Sequence, residues 1–349
     1  MNKKEFYAKL KYKNTALGLA CALLIILGVG SACNIKPKRA TPDTESSQAA
    51  EEPAPKETEE TVPDQNTYTR GKAATDFKYI SVRNESALGE GLLTPYAFEV
   101  EYKGERPKDL VGIYEYLFDG KGTQIAYARS TQIYLTKETA ERFNALIRDF
   151  KGQTGLATLM IFDGYVPDSE DLKNNEYWSG DYTKTSECEE HFLGTSIDLK
   201  LYPGDGSYPD FTGEDKYAWI LENMPHYGFI LRYPEGKEDI TGHEAQKNHI
   251  RYVAYPDSQI IYDNGFTLEE YIEEIKKYDY KNQYILTDTH GGKYCVYYVP
   301  ADKSRSTNVP VPIKGDEELK YRISGDGKDG YIVSCMVEQP GENDKEKDK

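Results

Sequence analysis

The feature that most constrains the fold of this chain is a set of three polar residues at wide spacing, His191, Asp198 and His249. Two imidazoles and one carboxylate can occupy three corners of a tetrahedron around zinc, which leaves the fourth corner to a water molecule. Such an open corner is typical of a catalytic zinc site rather than a structural one. Three residues alone are weak evidence, because His and Asp in loops more often serve only as hydrogen-bonding groups.

A longer pattern surrounds these residues. Glu-His-x-x-Gly-x-x-x-Asp ends at Asp198, Tyr-Gly-Phe-Ile-Leu-Arg-Tyr-Pro spans 227–234, and His-Ile-Arg-Tyr-Val begins at His249. The whole resembles the VanY-type D-alanyl-D-alanine carboxypeptidases, zinc metallopeptidases that trim peptidoglycan stem peptides. The matching residues are Glu190, His191, Gly194, Asp198, Trp219, Asn223, Tyr227, Gly228, Phe229, Arg232, Tyr233, Pro234, Lys237, Thr241, Gly242, His249, Arg251, Tyr252 and Val253.

The resemblance implies an α+β fold, in which a small antiparallel sheet with flanking helices forms a zinc-peptidase core over residues 75–278. It implies that His191, Asp198 and His249 bind Zn2+ and that the substrate is a peptidoglycan stem peptide. Tyr165 and Arg251 are predicted to bind that substrate, since both stand where the family pattern has the same residue type.

The catalytic base is where the chain departs from the family. The family places a glutamate three residues before the second histidine, and here that position is Gln246. An amide can orient a water molecule but cannot accept its proton, and loss of a general base typically costs 10²- to 10⁴-fold in rate. If the chain is extended here, Glu244 points to the same side as Gln246, about 7 Å away. Glu244 is therefore the predicted replacement, with Glu189 or Glu190 as alternatives.

Two other family residues are also missing. Asn248 replaces the tryptophan before the second histidine, and the arginine that follows the tyrosine in Ser-Gly-Tyr-Arg has no counterpart after Tyr165. Two functions fit this pattern. The chain is either an extracytoplasmic zinc carboxypeptidase, which is our prediction, or a degenerate relative that binds zinc and wall peptide without hydrolysis.

The amino terminus predicts export. A lysine-rich start precedes an almost wholly apolar run over 16–30, and Ser-Ala-Cys follows with Cys33 as the predicted lipidation site. An uncleaved membrane anchor is the alternative, because about 18 apolar residues approach the spanning minimum. Residues 34–74 are rich in Pro, Thr and Glu, which predicts a disordered linker. The protein is thus expected on the outer face of the cell membrane.

Helical spacing of apolar residues predicts helices over 136–152 and 268–278, the first with Thr136 as its N-cap. Short strands are predicted at 156–162, 197–201 and 250–254. Alternating runs over 279–340 predict a small β appendage, followed by a charged tail at 341–349.

The formal net charge of −16 argues against a nucleic-acid partner, because phosphate binding needs clustered Lys and Arg. Cys295 and Cys335 both lie in strand-like runs, so a disulfide between them is compatible with the sequence but not decided by it.

Overall fold

The computed structural model describes residues 65–84, 91–95, 107–165 and 190–339. The predicted export segment with Cys33, most of the predicted linker, Cys188 and Glu189, and the charged tail lie outside these ranges. Within the described ranges, no helix combines the length and apolar content needed to cross a membrane.

Five α-helices are described: α1 (Lys137–Thr154), α2 (Ala218–Asn223), α3 (Glu238–Thr241), α4 (Asp257–Asn264) and α5 (Leu268–Ile275). The strands are β1 (Thr67–Gly71), β2 (Asp76–Arg83), β3 (Leu110–Gly112), β4 (Tyr127–Ala128), β5 (Tyr134–Thr136), β6 (Leu159–Asp163), β7 (Ser196–Leu201), β8 (Phe229–Tyr233), β9 (Gln246–Tyr252), β10 (Gln283–Thr287), β11 (Lys293–Pro300), β12 (Ser306–Lys314), β13 (Glu317–Glu318), β14 (Tyr321–Gly325) and β15 (Gly330–Glu338). The predicted α+β class is confirmed.

One sheet carries Asp198 and His249 of the predicted metal site, and His191 lies in the turn just before its strand β7. Its strand order is β4-β6-β7-β9-β8, and we call it the site sheet. The β6-β7, β7-β9 and β9-β8 pairs are antiparallel, whereas β4 runs parallel to β6. The predicted antiparallel sheet is therefore present, with one parallel strand at its edge.

Helix α1 covers the apolar face of the site sheet. Thr136 caps its first turn by accepting a hydrogen bond from the backbone N–H of Thr139, as the sequence predicted. Gly155 ends the helix in the left-handed conformation, with φ of 75°. Phe143 and Phe150 from its buried side belong to the same apolar core as residues of β6, β7 and β9. This packing fixes the sheet that holds the site.

A second five-stranded sheet, β1-β10-β11-β15-β14, forms the carboxyl-terminal part, and we call it the C-terminal sheet. Residues Thr67–Gly71, inside the predicted linker over 34–74, form its edge strand and pair with β10. Similarly, β2 pairs with β12 along eight residues. The linker prediction is therefore wrong for residues 67–71, and the β region is not built from 279–340 alone.

Cys295 and Cys335 lie directly opposite each other on β11 and β15. Both thiols are buried and free. The sequence was compatible with a disulfide between these two residues. They do face each other, but the structure has no disulfide between them.

Candidate metal centre and active site

His191, Asp198 and His249 converge on one point. One ligand atom from each residue lies within 4.8 Å of the others. Asp198 sits between the two histidines: its Oδ1 is 2.7 Å from His249 Nδ1, and its Oδ2 is 3.4 Å from His191 Nε2. The two imidazole rings are 5.2 Å apart and nearly perpendicular. The structure therefore brings together the three residues that the sequence predicted as metal ligands.

Strand register produces this convergence. Asp198 on β7 and His249 on β9 are direct cross-strand partners, so their side chains project from the same face of the site sheet. His191 reaches the same place from the turn that precedes β7. In that turn Gly194 has φ of 66° and accepts a backbone hydrogen bond from Thr136. A Cβ at Gly194 would lie 2.8 Å from a methyl group of Leu110, so the close approach requires glycine.

The donor set and its spacing fit zinc. Metal–ligand bonds of about 2.1 Å in tetrahedral geometry place neighbouring ligand atoms about 3.4 Å apart, close to the observed separation of His191 Nε2 and Asp198 Oδ2. Both nitrogens of His191 are buried without a hydrogen-bond partner. Because buried polar groups are normally paired, these orphaned nitrogens are what a metal site would leave. The side chain of Asp198 remains 26% exposed and opens the cluster to solvent.

The electrostatics of the cluster are dominated by the Asp198 carboxylate. Burial favours the neutral imidazole, but the charge of Asp198 outweighs it and raises the pKa of His249 to about 9. The same carboxylate raises the pKa of His191. In turn the two histidines hold the pKa of Asp198 far below its usual range against the effect of burial. A metal ion that binds here must therefore displace protons from the imidazoles.

Glu190, directly before His191, anchors the cluster from behind. It is fully buried, and its Oε1 accepts hydrogen bonds from Arg232 Nε at 2.8 Å and Arg251 Nη1 at 3.0 Å. Its Oε2 lies 3.6 Å from His249 Nε2, on the ring edge opposite Asp198. Arg232 also forms a bidentate pair with Glu269. This network ties the strand of His249 to the segment that carries His191.

These contacts correct two expectations. Arg251 was predicted to bind substrate, but its side chain is fully buried and also donates to the backbone carbonyls of Leu92 and Thr94. Arg251 is buried because Glu190 and the carbonyl groups of Leu92 and Thr94, all distant in the chain, hold its guanidinium, which the sequence does not show. Glu190 was an alternative base, but both arginines already bind its carboxylate. Its position makes it a support for the metal ligands.

Gln246 and Glu244 lie at the entrance to β9. The β8-β9 ladder pairs Leu231 with Ile250 and then Tyr233 with Gln246, so β9 carries two extra residues between these pairs. This bulge separates Gln246 from the regular strand that presents His249. Gln246 is half-buried, whereas Glu244 precedes the strand and is exposed.

Tyr165 and Asp163 lie on the β6 side of the cluster. Tyr165 is 6% exposed and packs edge-on against Phe192, the residue after His191. Asp163 is the cross-strand partner of Asp198 and is 3% exposed. The sequence analysis did not identify Asp163, although its place in Asp-Gly-Tyr, where the family has Ser-Gly-Tyr, was a signal.

Tyr233 stacks on the ring of His249, on the β8 side of the cluster. Its ring lies 5.1 Å from that of His249 and 4.2 Å from that of His243, with both pairs close to parallel. The orientation of the His249 ring is therefore fixed by Tyr233 on one face and by Asp198 and Glu190 at its edges.

Comparison with known proteins agrees with this geometry. The family model described as VanY, D-alanyl-D-alanine carboxypeptidase, matches residues 132–255. A D-alanyl-D-alanine carboxypeptidase of Enterococcus faecium is 34% identical over 207 residues, which are 59% of this chain and 63% of the relative. The chain thus spans less than two thirds of that protein.

A second relative is covered more fully. The bifunctional D-Ala-D-Ala dipeptidase and D-Ala-D-Ala carboxypeptidase VanXYC of Enterococcus gallinarum is 34% identical over 151 residues, which are 40% of this chain and 77% of the relative. Among solved structures, the vancomycin resistance D,D-dipeptidase VanXYg, in complex with a D-Ala-D-Ala phosphinate analog, aligns with a TM-score of 0.58 at 28% identity. That alignment covers 75% of this chain and all of the VanXYg chain. The chain belongs to the VanY family of D-alanyl-D-alanine carboxypeptidases.

Proposed function

We propose that this chain is a zinc D-alanyl-D-alanine carboxypeptidase that removes the terminal residue from peptidoglycan stem peptides. The observation that carries the proposal is the convergence of His191, Asp198 and His249 within 4.8 Å, with a partly exposed carboxylate among them. The names of the relatives support the substrate class, since those proteins are described as acting on D-Ala-D-Ala.

In this proposal His191 Nε2, Asp198 and His249 Nδ1 hold the zinc. When bound, zinc acts as a Lewis acid that polarises a carbonyl group and lowers the pKa of water to about 7. Glu190 holds the His249 ring through its Nε2 edge, as outer carboxylates commonly do for metal-binding histidines. Gln246 orients the attacking water through its amide and cannot take the proton.

A carboxylate must then take that proton and pass it to the leaving amine. We propose Glu244, which lies two residues before Gln246 on the solvent side of the strand entrance. To act on the water, Glu244 would have to move toward the metal cluster together with this segment. If no carboxylate does so, the chain binds zinc and peptide without efficient hydrolysis, which is the second candidate function. The loss of the family glutamate at position 246 favours that alternative.

The proposed location is the outer face of the cell membrane. The lysine-rich start, the apolar run over 16–30 and Cys33 support an export signal with lipid attachment, or else an uncleaved anchor. A stem peptide of the wall would be reached only from that side.

The test measures metal content and turnover on the purified full chain. We expect about one zinc per chain, loss of zinc in His249→Ala, and release of D-Ala from a synthetic pentapeptide. Glu244→Ala should lower turnover about 10²- to 10⁴-fold, and Gln246→Glu should raise it. Glu235→Ala, an exposed acid before α3, is the matched control and should have no effect. A wild-type chain that binds the peptide but releases no D-Ala would establish the binding function instead.

A further inference from the structure

The face of the site sheet that carries the metal cluster extends beyond it toward β4. Asp163 on β6, Asp198 on β7 and His249 on β9 are successive cross-strand partners, so they form one row on this face. Partners of this kind have Cβ atoms about 4.5–5.5 Å apart. A residue beside Asp163 on this face is therefore separated from the proposed zinc ligand Asp198 by the Asp163 side chain alone.

Arg129 lies next to Asp163. It follows β4 directly, and its backbone N–H donates to Ile161 of β6 at 2.9 Å. Its guanidinium carbon stands 4.2 Å from the centre of the Phe162 ring, and its Nη2 is 3.7 Å from Asp163 Oδ2. The side chain of Arg129 keeps 31% of its surface exposed, whereas that of Asp163 keeps 4%. These contacts fix the position of the Arg129 side chain, part of which stays exposed to solvent.

A second cationic side chain, that of Lys200, also lies over the Phe162 ring. Lys200 comes two residues after Asp198 on β7, so it projects from the same face of the strand. Its Nζ is 4.7 Å from the centre of the Phe162 ring and 3.1 Å from Asp210. The Phe162 ring therefore contacts two cations, Arg129 and Lys200, each of which also lies beside an acid.

A carboxypeptidase must recognise the free carboxylate that ends its substrate, one residue beyond the bond that it cleaves. The planar guanidinium of arginine matches a carboxylate with two parallel hydrogen bonds. Arg232 and Arg251 lie closer to the cluster but are fully buried on Glu190. Among these three arginines, Arg129 alone presents exposed surface on the ligand face.

We propose that Arg129, stacked on Phe162 and supported by the charge of Lys200, binds the C-terminal carboxylate of the peptide substrate. The inference rests on the proposed carboxypeptidase function. The family has an arginine after the tyrosine, and this chain has Val166 there. Arg129, which follows β4, would supply the missing positive charge.

The test compares Arg129→Gln with the wild-type zinc-loaded full chain on an acetylated Lys-D-Ala-D-Ala tripeptide. We expect KM to rise about 10- to 100-fold, the range for a lost hydrogen bond to a charged group, with kcat changed much less. The KM of Arg129→Lys should lie between those of the wild type and Arg129→Gln, because lysine keeps the positive charge but cannot donate two parallel hydrogen bonds. Arg148→Gln is the control, since this exposed arginine of α1 forms an ion pair with its neighbour Asp149, away from the site sheet's metal cluster.

Calorimetric binding gives a readout that needs no turnover. The wild type should bind the tripeptide acid more tightly than its C-terminal amide, and Arg129→Gln should abolish that preference. A preference that persists in Arg129→Gln would overturn the assignment of Arg129 and leave the proposed function standing. A wild type with the preference but without D-Ala release would overturn hydrolysis only. A wild type that shows no preference would overturn both.

Discussion

Two fully buried carboxylates in this protein have opposite acidities. Glu190, behind the metal cluster, is 0% exposed, and Asp257, at the start of α4, is 1% exposed. Burial favours the neutral acid in both, yet Arg232 and Arg251 hold the pKa of Glu190 well below its usual range. Asp257 has hydroxyl partners, Tyr271 and Ser334, and burial raises its pKa to about 6. The charge of the partners, not the depth of burial, decides whether the buried acid is ionised.

The difference matches what each region does. Glu190 needs a fixed charge, because it holds two arginines and faces the ring edge of His249. Asp257 joins helix α4 to β15 of the C-terminal sheet through Ser334, which requires hydrogen bonds but no charge. The carboxylate behind the proposed metal site is therefore held by ion pairs, and the carboxyl group that contacts β15 is held by hydrogen bonds to hydroxyl groups.

Glu190→Ala should produce the largest effect on stability. It leaves Arg251 buried with backbone carbonyl partners but without this acid, and removing one partner from a buried ion pair costs about 3–5 kcal/mol. Urea unfolding of the full chain at neutral pH measures this loss.

The matched control is Glu269→Ala, which removes the other acid that Arg232 contacts. Because Glu269 is 24% exposed and Arg232 would keep Glu190, the loss should be clearly smaller. Equal losses of unfolding free energy in the two variants would show that Glu190 contributes no more to stability than the partly exposed Glu269.

Asp257→Asn should change how the stability of the protein depends on pH. The folded-state pKa of Asp257, about 6, lies above the unfolded value of 3.8, so the folded protein holds the proton more tightly. The stability that this group contributes is therefore present at low pH and lost as pH rises through about 6. The free energy of unfolding of Asp257→Asn relative to wild type should rise by about 2–3 kcal/mol between pH 4 and pH 7.

Paired urea titrations of the two proteins at pH 4, 5, 6 and 7 test the sign. A difference that stays constant with pH would mean that Asp257 is ionised in the folded protein throughout, like Glu190, and the contrast between the two acids would fail.

Glu190→Gln should weaken metal binding as well as the fold. The side chain keeps its shape but loses the negative charge facing His249 Nε2, 3.6 Å from Glu190 Oε2. Loss of such an outer partner typically lowers metal affinity about 10- to 100-fold. Competition with a chelator of known zinc affinity measures the change. Asp257→Asn serves as the comparison, and an equal loss of affinity there would remove Glu190 from the support of the metal site.

The sequence predicted the metal cluster better than its surroundings. His191, Asp198 and His249 were found because donor types and family spacing are local properties of the chain. The buried position of Arg251 depends on its contacts with Glu190, Leu92 and Thr94, which come together only in three dimensions. Asp163 and Arg129 were missed for the same reason, since a bulge in β6 and the parallel edge strand β4 bring them to the site face.

Fold boundaries show the same limit. Helices α1 and α5 were predicted within a few residues, because capping residues and helical periodicity are encoded locally. Strand β1, Thr-Tyr-Thr-Arg-Gly, is polar and follows a Pro- and Glu-rich segment, so it was read as linker. Pairing with β10, more than two hundred residues later, makes it a strand.

This pairing has a practical consequence for any shortened form of the protein. Removal of residues up to 74 would strip β1 from the C-terminal sheet and leave one side of Tyr284, Ile285 and Leu286 without backbone partners. An uncovered, apolar strand edge recruits other chains, and self-association follows. A shortened protein that begins before Thr67 would keep β1 paired with β10, and we expect it to stay monodisperse.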